Sequence, residues 1–264
     1  MKPNKYSIFL ARRFWYWFWK KLMDGFAPSD RNGNYKRPHG FKINNKFKIN
    51  FNKNENLYLL LGSSCPWCHR LMILDKLINL SEYIEIIYLN PNYEIGEWFF
   101  EKRFFKHKTL KEVYIEANYS QVFRYTLPLL LKTKEKNIEL ISNESRDILN
   151  LVINNKSIKK NPIKSCNSTL LELINNDIND GVYKCGFSRN QSAYEYASNK
   201  LFKALDKIDN TLKFNKGKWI LGSELSVADI YLFPTLIRWE LIYSKLFKCT
   251  EKDIYTFKNI IIWR

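Results

Sequence analysis

The chain has 264 residues, 45% of them hydrophobic and 16% aromatic, which is enough material for two packed domains of ordinary size. Its five cysteines (Cys65, Cys68, Cys166, Cys185 and Cys249) are too few and too unevenly spaced for a disulfide-stapled secreted fold, and no secretory leader precedes them, so a reducing, cytoplasmic setting is expected. Of the formal charge of +17, residues 1–56 carry +10, with 13 Lys and Arg against 3 Asp and Glu. The remainder is only mildly basic and holds no RNA- or DNA-binding motif, so no nucleic-acid partner is expected.

The first element is Ile8 to Met23, IFLARRFWYWFWKKLM. Arg12, Arg13, Lys20 and Lys21 interrupt it, so it falls short of the roughly 20 apolar residues of a membrane span. On a helix, Arg12, Arg13, Tyr16 and Lys20 share one side, and Phe14, Trp15, Phe18 and Leu22 the other. This amphipathic pattern predicts an arm that docks its aromatic face on the protein body. The alternatives are a weak membrane-surface contact through residues 8–23 and an organelle-targeting peptide. Residues 24–56, rich in Asn, Lys, Gly and Pro, read as a connecting loop, so 1–56 form a basic, aromatic arm and loop.

An α/β domain is expected over 57–155. Leu57 to Leu61 is a short apolar run closed by Gly62-Ser63-Ser64, the pattern of a buried strand entering a turn. Pro66 suits the first position of a helix, and Arg70 to Leu80 carries apolar residues at helical spacing. Ile84–Leu89 predicts a second strand, followed by an irregular stretch around Trp98 and a helix near Leu110–Glu116. Strands at Thr126–Leu131 and Ile138–Ile141 precede a helix opened by Asn143-Glu144-Ser145 and ending near Asn154. The polar linker 156–166 includes Pro162, and an all-α domain is expected over 167–264. Gln191–Phe214 repeats apolar residues at i, i+3 and i+4. Ser226 and Asp229 form a capping-box pattern for a helix running through Trp239 to about Ser244.

Chemistry concentrates in Cys65-Pro66-Trp67-Cys68. A thiol between a strand and a helix sits beside free backbone N–H groups and the positive end of the helix dipole, both of which favour the nucleophilic thiolate. A redox or thiol-transfer role fits this context. Zinc would need a second ligand pair, and Cys166, Cys185, Cys249, His39 and His107 show no such spacing, so no metal is expected. Adding His69 gives the haem-attachment pattern CxxCH, a short motif opposed by the strand–helix context, and a pair of structural thiols is the remaining alternative. The other three cysteines read as packing residues, and His69 as a helix-surface residue. In Thr126-Leu127-Pro128, a proline at the head of a strand marks a strand start or a cis bond. Taken alone, Ser145 is an ordinary helix-start residue.

The segments SSCPWCHR (Ser63–Arg70), RYTLPLLL (Arg124–Leu131), SNESRDIL (Ser142–Leu149), INDGVYKCGFSRNQSAYEYA (Ile178–Ala197), LSVADIYLFPTLIRWELIY (Leu225–Tyr243) and FKC (Phe247–Cys249) together resemble the glutathionyl-hydroquinone reductases, the Xi class of glutathione transferases. The resemblance implies a thioredoxin-like domain followed by a helical glutathione-transferase domain, with glutathione as co-substrate and no metal. It implies a nucleophile at Cys65 and a glutathione site formed by Trp98, Arg124, Leu127, Pro128, Glu144 and Ser145. Tyr183 and Tyr243 should line a pocket for an aromatic, quinone-derived substrate, in a homodimer. Many relatives have Ala in place of Cys68, whose thiol therefore offers an internal resolving step in place of a second glutathione. Relatives also extend for several tens of residues past the position of Arg264, in a tail on the substrate side, so a helical domain shortened at its end is expected. An omega-like thioltransferase or dehydroascorbate reductase shares the nucleophile and the layout. A chloride-intracellular-channel-like, membrane-associating binding protein shares the fold and the cysteine motif.

Overall fold

A computed structural model describes residues 4–38, 40–41, 56–119, 124–134, 137–158 and 161–264. Residues 39 and 42–55 of the expected loop, and Lys159 and Lys160 of the expected linker, lie outside them. The chain divides into two compact units. One comprises Met1–Pro38, Glu172–Asn210 and Arg238–Ile262, the other His39–Leu171, Thr211–Ile237 and Trp263–Arg264.

The first unit begins with helix α1 (Lys5–Phe26), whose first turn is closed by Asn4, its side chain accepting from the Tyr6 amide at 3.1 Å. The expected docking of its aromatic face does not occur: no residue of α1 is buried. The anchoring contacts belong instead to the segment that follows, where Ala27 and Tyr35 are buried.

The second unit is built on a mixed sheet, six-stranded among the described residues, in the order β4-β3-β2-β1-β5-β6. Strand β1 (Leu57–Gly62) lies near its centre, parallel to β2 (Glu85–Asn92) and antiparallel to β5 (Leu129–Lys134). Leu59, Leu60 and Leu61 are all fully buried, as a strand covered on both faces requires. Helix α2 (Pro66–Ile78) follows β1 and ends at Asn79, which adopts the left-handed conformation at φ 53°. The stretch around Trp98, expected to be irregular, forms β3 (Glu97–Phe104) and β4 (His107–Thr109). The reason is local turn chemistry joined to aromatic strand formers. Asn92 Oδ1 accepts from the Glu94 and Ile95 amides, Gly96 takes φ 68°, and Trp98 then pairs with Pro91 across the hairpin. Helix α3 (Leu110–Glu116), β6 (Asn137–Ser142) and α4 (Ser145–Ile153) complete the domain core, and α2 packs against α4.

Beyond the linker come α5 (Ser168–Glu172), a wide π-type segment Leu173–Asn179, α6 (Gly181–Gly186) and α7 (Gln191–Asn215). The residues at helical spacing along α7, Ala193, Ala197, Leu201, Leu205, Ile208 and Leu212, are all buried. Within the first unit the Phe202 ring meets Trp239 edge-on and stacks on Phe257.

Helix α8 (Val227–Leu236) belongs to the second unit and packs on α2. Its capping box forms, but the expected continuous helix to Ser244 does not. Pro234 removes a backbone donor, α8 ends at Leu236, and a π-type turn follows over Trp239–Tyr243. Buried Asp229 gathers four donors: the Ile220 amide (2.9 Å), the Ser226 amide (2.9 Å), the Ser226 hydroxyl (2.6 Å) and Trp263 Nε1 (2.8 Å). Replacing Asp229 by Ala leaves these donors without their acceptor and should destabilise the fold by about 2–4 kcal/mol, read from the midpoint of urea unfolding.

Candidate active site around Cys65

The site begins where β1 runs out. The Cys65 amide donates to Gly62 O at 3.1 Å, closing a tight turn, and Cys65 itself caps α2 with extended backbone angles (φ −76°, ψ 122°). Pro66 occupies the first helical turn, where its missing N–H costs nothing, and the His69 amide donates to Cys65 O at 3.1 Å. The half-buried Cys65 sulfur therefore stands at the positive end of α2, a position that stabilises an anion. It also lies 3.7 Å from Leu127 O.

Cys68 lies one turn further along α2 and differs in every chemical respect. It is 0% exposed, and its sulfur accepts from the Gly62 amide at 3.3 Å. Burial pushes its thiol well above the ordinary range, and a hydrogen bond to Cys65 holds the proton further. The two thiols are not joined in a disulfide.

The turn carrying Leu127 is braced from below. The Leu127-Pro128 bond is cis, and the last β1–β5 pair is Leu60 with Leu129, so the Leu127 backbone stands just outside the sheet ladder. Buried Tyr114 donates to Thr126 O at 2.8 Å and accepts from Asn143 Nδ2 at 3.1 Å, while Asn143 also reaches Thr126 Oγ1 at 3.3 Å. Burial raises the Tyr114 phenol to about 12, so it stays protonated. These bonds tie the Leu127 turn to the corner between β6 and α4. Glu144 caps α4 there, and Ser145 opens it.

Trp98, on β3, packs its ring against the end of β1. A side chain at Gly62 would come within 2.6 Å of that ring and 3.1 Å of Leu127 Cδ1, so the absent Cβ at Gly62 lets indole, Leu127 and the Cys65 turn converge. Arg124 is half buried, three residues before Leu127. The structure thus brings Cys65, Cys68, Trp98, Leu127 and Pro128 together, and ties Glu144 and Ser145 to them through the Tyr114 and Arg70 contacts.

Arg70 is the residue that sequence reasoning passed over. Its guanidinium is 2% exposed, donates to Ser145 Oγ at 3.2 Å, and lies 4.6 Å from the centre of the Trp67 ring and 4.2 Å from that of Tyr231. The signal was present as a charged residue on the face of α2 that also carries the buried Leu71 and Leu74. Gly40 was likewise missed. Its amide donates to Glu144 Oε1 at 2.8 Å, and the neighbouring Phe41 amide donates to Asn143 Oδ1 at 3.0 Å. His69, expected on the helix surface, is half buried with its ring edge-on to Phe233 of α8.

Tyr183 and Tyr243 meet within the other unit. Their hydroxyls are 3.4 Å apart, their rings pack edge-on at 5.8 Å, and Phe247 contacts both. Tyr243 is 2% exposed and Tyr183 only half buried, so Tyr183 is the outward member. The same unit buries Cys185 and Cys249, and the Cys249 thiol is pushed up by its hydrogen bond to Cys185 and by burial. Burial also raises the Cys166 thiol. Among the described residues no group of three or more His, Cys, Asp and Glu is placed to hold a metal ion.

Residues 191–255 match the family model described as glutathione S-transferase, C-terminal domain. The chain is 31% identical to the glutathionyl-hydroquinone reductase PcpF of Sphingobium chlorophenolicum, over 77% of this chain and 68% of that one. It is 29% identical to the glutathionyl-hydroquinone reductase YqjG of Escherichia coli, over 78% of this chain and 66% of that one. It therefore spans about two thirds of the length of these relatives. The glutathione-bound structure of YqjG superposes with a TM-score of 0.67 at 28% identity, covering 80% of this chain and 73% of that one. The Xi glutathione transferase of Phanerochaete chrysosporium shares the fold with a TM-score of 0.75 at 24% identity, over 89% of this chain and 81% of that one. A thioredoxin-like domain with a cysteine at its first helix, a helical transferase domain and this degree of identity place the chain in the glutathionyl-hydroquinone reductase family, the Xi class of glutathione transferases.

Proposed function

We propose that the chain reduces glutathionyl-hydroquinones to hydroquinones, with Cys65 as nucleophile and glutathione as co-substrate. Glutathione-dependent thiol transfer is the chemistry of its family, and one observation carries the assignment to this residue. The half-buried Cys65 sulfur stands at the N-terminus of α2, 3.7 Å from the carbonyl of Leu127, whose backbone lies just outside the sheet ladder. That backbone is suited to pair with the cysteinyl unit of glutathione and to hold its sulfur in line with Cys65.

The other roles follow from charge and position. The Glu144 carboxylate is suited to the γ-glutamyl amine, and Ser145 with the first amides of α4 to the γ-glutamyl carboxylate. Because Ser145 Oγ already accepts from Arg70, its own proton is available to a ligand. Trp98 and Arg124 flank the tripeptide, and cis Pro128 shapes the turn beside it.

In the reaction the Cys65 thiolate attacks the glutathione sulfur of the thioether. The sulfur–carbon bond breaks, its electron pair passes to the aromatic ring, and a proton converts the leaving group to the hydroquinone. The residue that the family resemblance assigns to that proton transfer is Tyr183, whose hydroxyl lies 3.4 Å from that of Tyr243 within its own unit. Cys65 is left as a mixed disulfide with glutathione. A second glutathione thiolate attacks it, releasing glutathione disulfide and the Cys65 thiolate. We assign resolution to this external thiol rather than to Cys68, a reading supported by the burial of Cys68 and by its firmly held proton. A homodimer in the cytoplasm is part of the same proposal.

Incubation with glutathionyl-menadione and glutathione tests it. Cys65→Ser should abolish hydroquinone release, whereas Cys68→Ser should keep most of it. Loss of activity in Cys68→Ser with accumulation of the mixed disulfide would return resolution to that thiol. Tyr183→Phe should lower kcat by about a hundredfold with a smaller change in KM, measured in the same assay. Iodoacetamide at neutral pH should label Cys65 first in the folded chain and leave Cys68 unlabelled, as read by peptide mass spectrometry. Because folding raises the Cys68 pKa, its contribution to stability is fully present below the ordinary value of 9.0 and lost as pH rises above it, so Cys68 labelling should grow only in alkali or after unfolding.

A further inference from the structure

Helix α1 holds none of the residues of the Cys65 site, and it displays a run of exposed aromatic side chains. Phe9, Phe14, Trp15, Tyr16, Trp17, Phe18 and Trp19 are each between 45% and 70% exposed. On the helical wheel Ile8, Ala11, Phe14, Trp15, Phe18, Trp19, Leu22 and Phe26 form an arc of about 140° that holds no charged residue. Lys5, Arg12, Arg13, Lys20 and Lys21 lie on the remaining side, against a single acid, Asp24.

The helix is held at its end rather than by its faces. Arg189 donates to Ala27 O at 2.9 Å and pairs with Asp24 at 3.3 Å, and its amide donates to Gly33 O at 3.0 Å. Beyond these, Tyr35 packs on Phe187, and Arg37 pairs with Asp180 at 3.0 Å. The segment after α1 is thus fastened to the helical unit, while α1 buries none of its own residues.

We propose that α1 is an interfacial anchor that lies on an anionic phospholipid surface, with its Trp- and Phe-rich arc in the acyl boundary and its basic residues among the headgroups. Charge complementarity selects this occupant. A second copy of α1 packed on the same arc would bring two strongly basic helices together, whereas anionic headgroups neutralise the five basic side chains. Twenty-two residues span about 33 Å, but among the described residues no helix is apolar enough to cross a membrane, so α1 lies on the surface.

Sedimentation of the full chain with phosphatidylcholine vesicles, with and without phosphatidylserine, tests this. The chain should pellet with the anionic vesicles, its tryptophan emission should shift to the blue, and high salt should release it. The quadruple variant Phe14→Ala, Trp15→Ala, Phe18→Ala, Trp19→Ala should lose partitioning by about a hundredfold, and Lys20→Ala with Lys21→Ala by about tenfold or more. Neither set includes a residue of the Cys65 site, so unchanged glutathione-dependent turnover reports correct folding. No partitioning of the unsubstituted chain, or partitioning equal for neutral and anionic vesicles and unaffected by either set of substitutions, would overturn the proposal. So would a self-association in sedimentation velocity that the quadruple variant abolishes, in a chain that ignores vesicles.

Discussion

The site depends on the abrupt change of backbone at the end of β1. Leu59, Leu60 and Leu61 are fully buried and hold the strand centrally in the sheet, so the chain must leave it within a few residues and at a fixed place. It does so through Gly62, whose missing side chain lets the Trp98 ring and Leu127 close in, and restarts as a helix at Pro66. Cys65 is the hinge residue between the two. Its position at the start of α2 follows from the burial of the strand before it, and the N-terminal end of the helix dipole places a partial positive charge beside the sulfur.

The Cys65 sulfur faces the Leu127 turn, and the chain holds that turn with buried polar groups. Tyr114, Thr126 and Asn143 hold the Leu127 turn against the start of α4. Arg70 runs from the helix of Cys65 to Ser145 across the same space. A buried guanidinium is costly unless its charge is compensated, and two aromatic faces and a hydroxyl are among the groups that face this one. Each brace joins elements distant in sequence, so the geometry around Cys65 is a property of the assembled domain and not of its motif.

The five thiols show how strongly surroundings divide one functional group. Cys65 is half buried at a helix start, Cys68 is sealed one turn away with its proton held, and the buried thiols of Cys185 and Cys249 share a hydrogen bond within the helical unit. Selectivity for one sulfur therefore needs no special residue type, only different access and different desolvation. The contrast between α1 and α7 makes the same point for helices. Both are amphipathic, yet α7 buries its stripe and α1 leaves its aromatic arc outside.

Local physics made much of this legible in advance. Pro66 after an apolar run, the Ser226–Asp229 cap and the periodicity of α7 are interactions within a few residues. Glutathione chemistry was legible only through the combined motifs, since CPWC alone indicates a reactive thiol and nothing of its partner. Tertiary structure decided the rest. Strands β3 and β4 exist because a hairpin found a sheet edge to pair with, and α8 ends at Leu236, two residues after Pro234, with a π-type turn following. Arg70 became a brace because Ser145, 75 positions away, was brought to its guanidinium. Sequence spacing carries information about neighbours along a helix or strand, but which distant side chain satisfies a buried charge, and which apolar face stays uncovered, is settled only when the whole chain competes for the same interior.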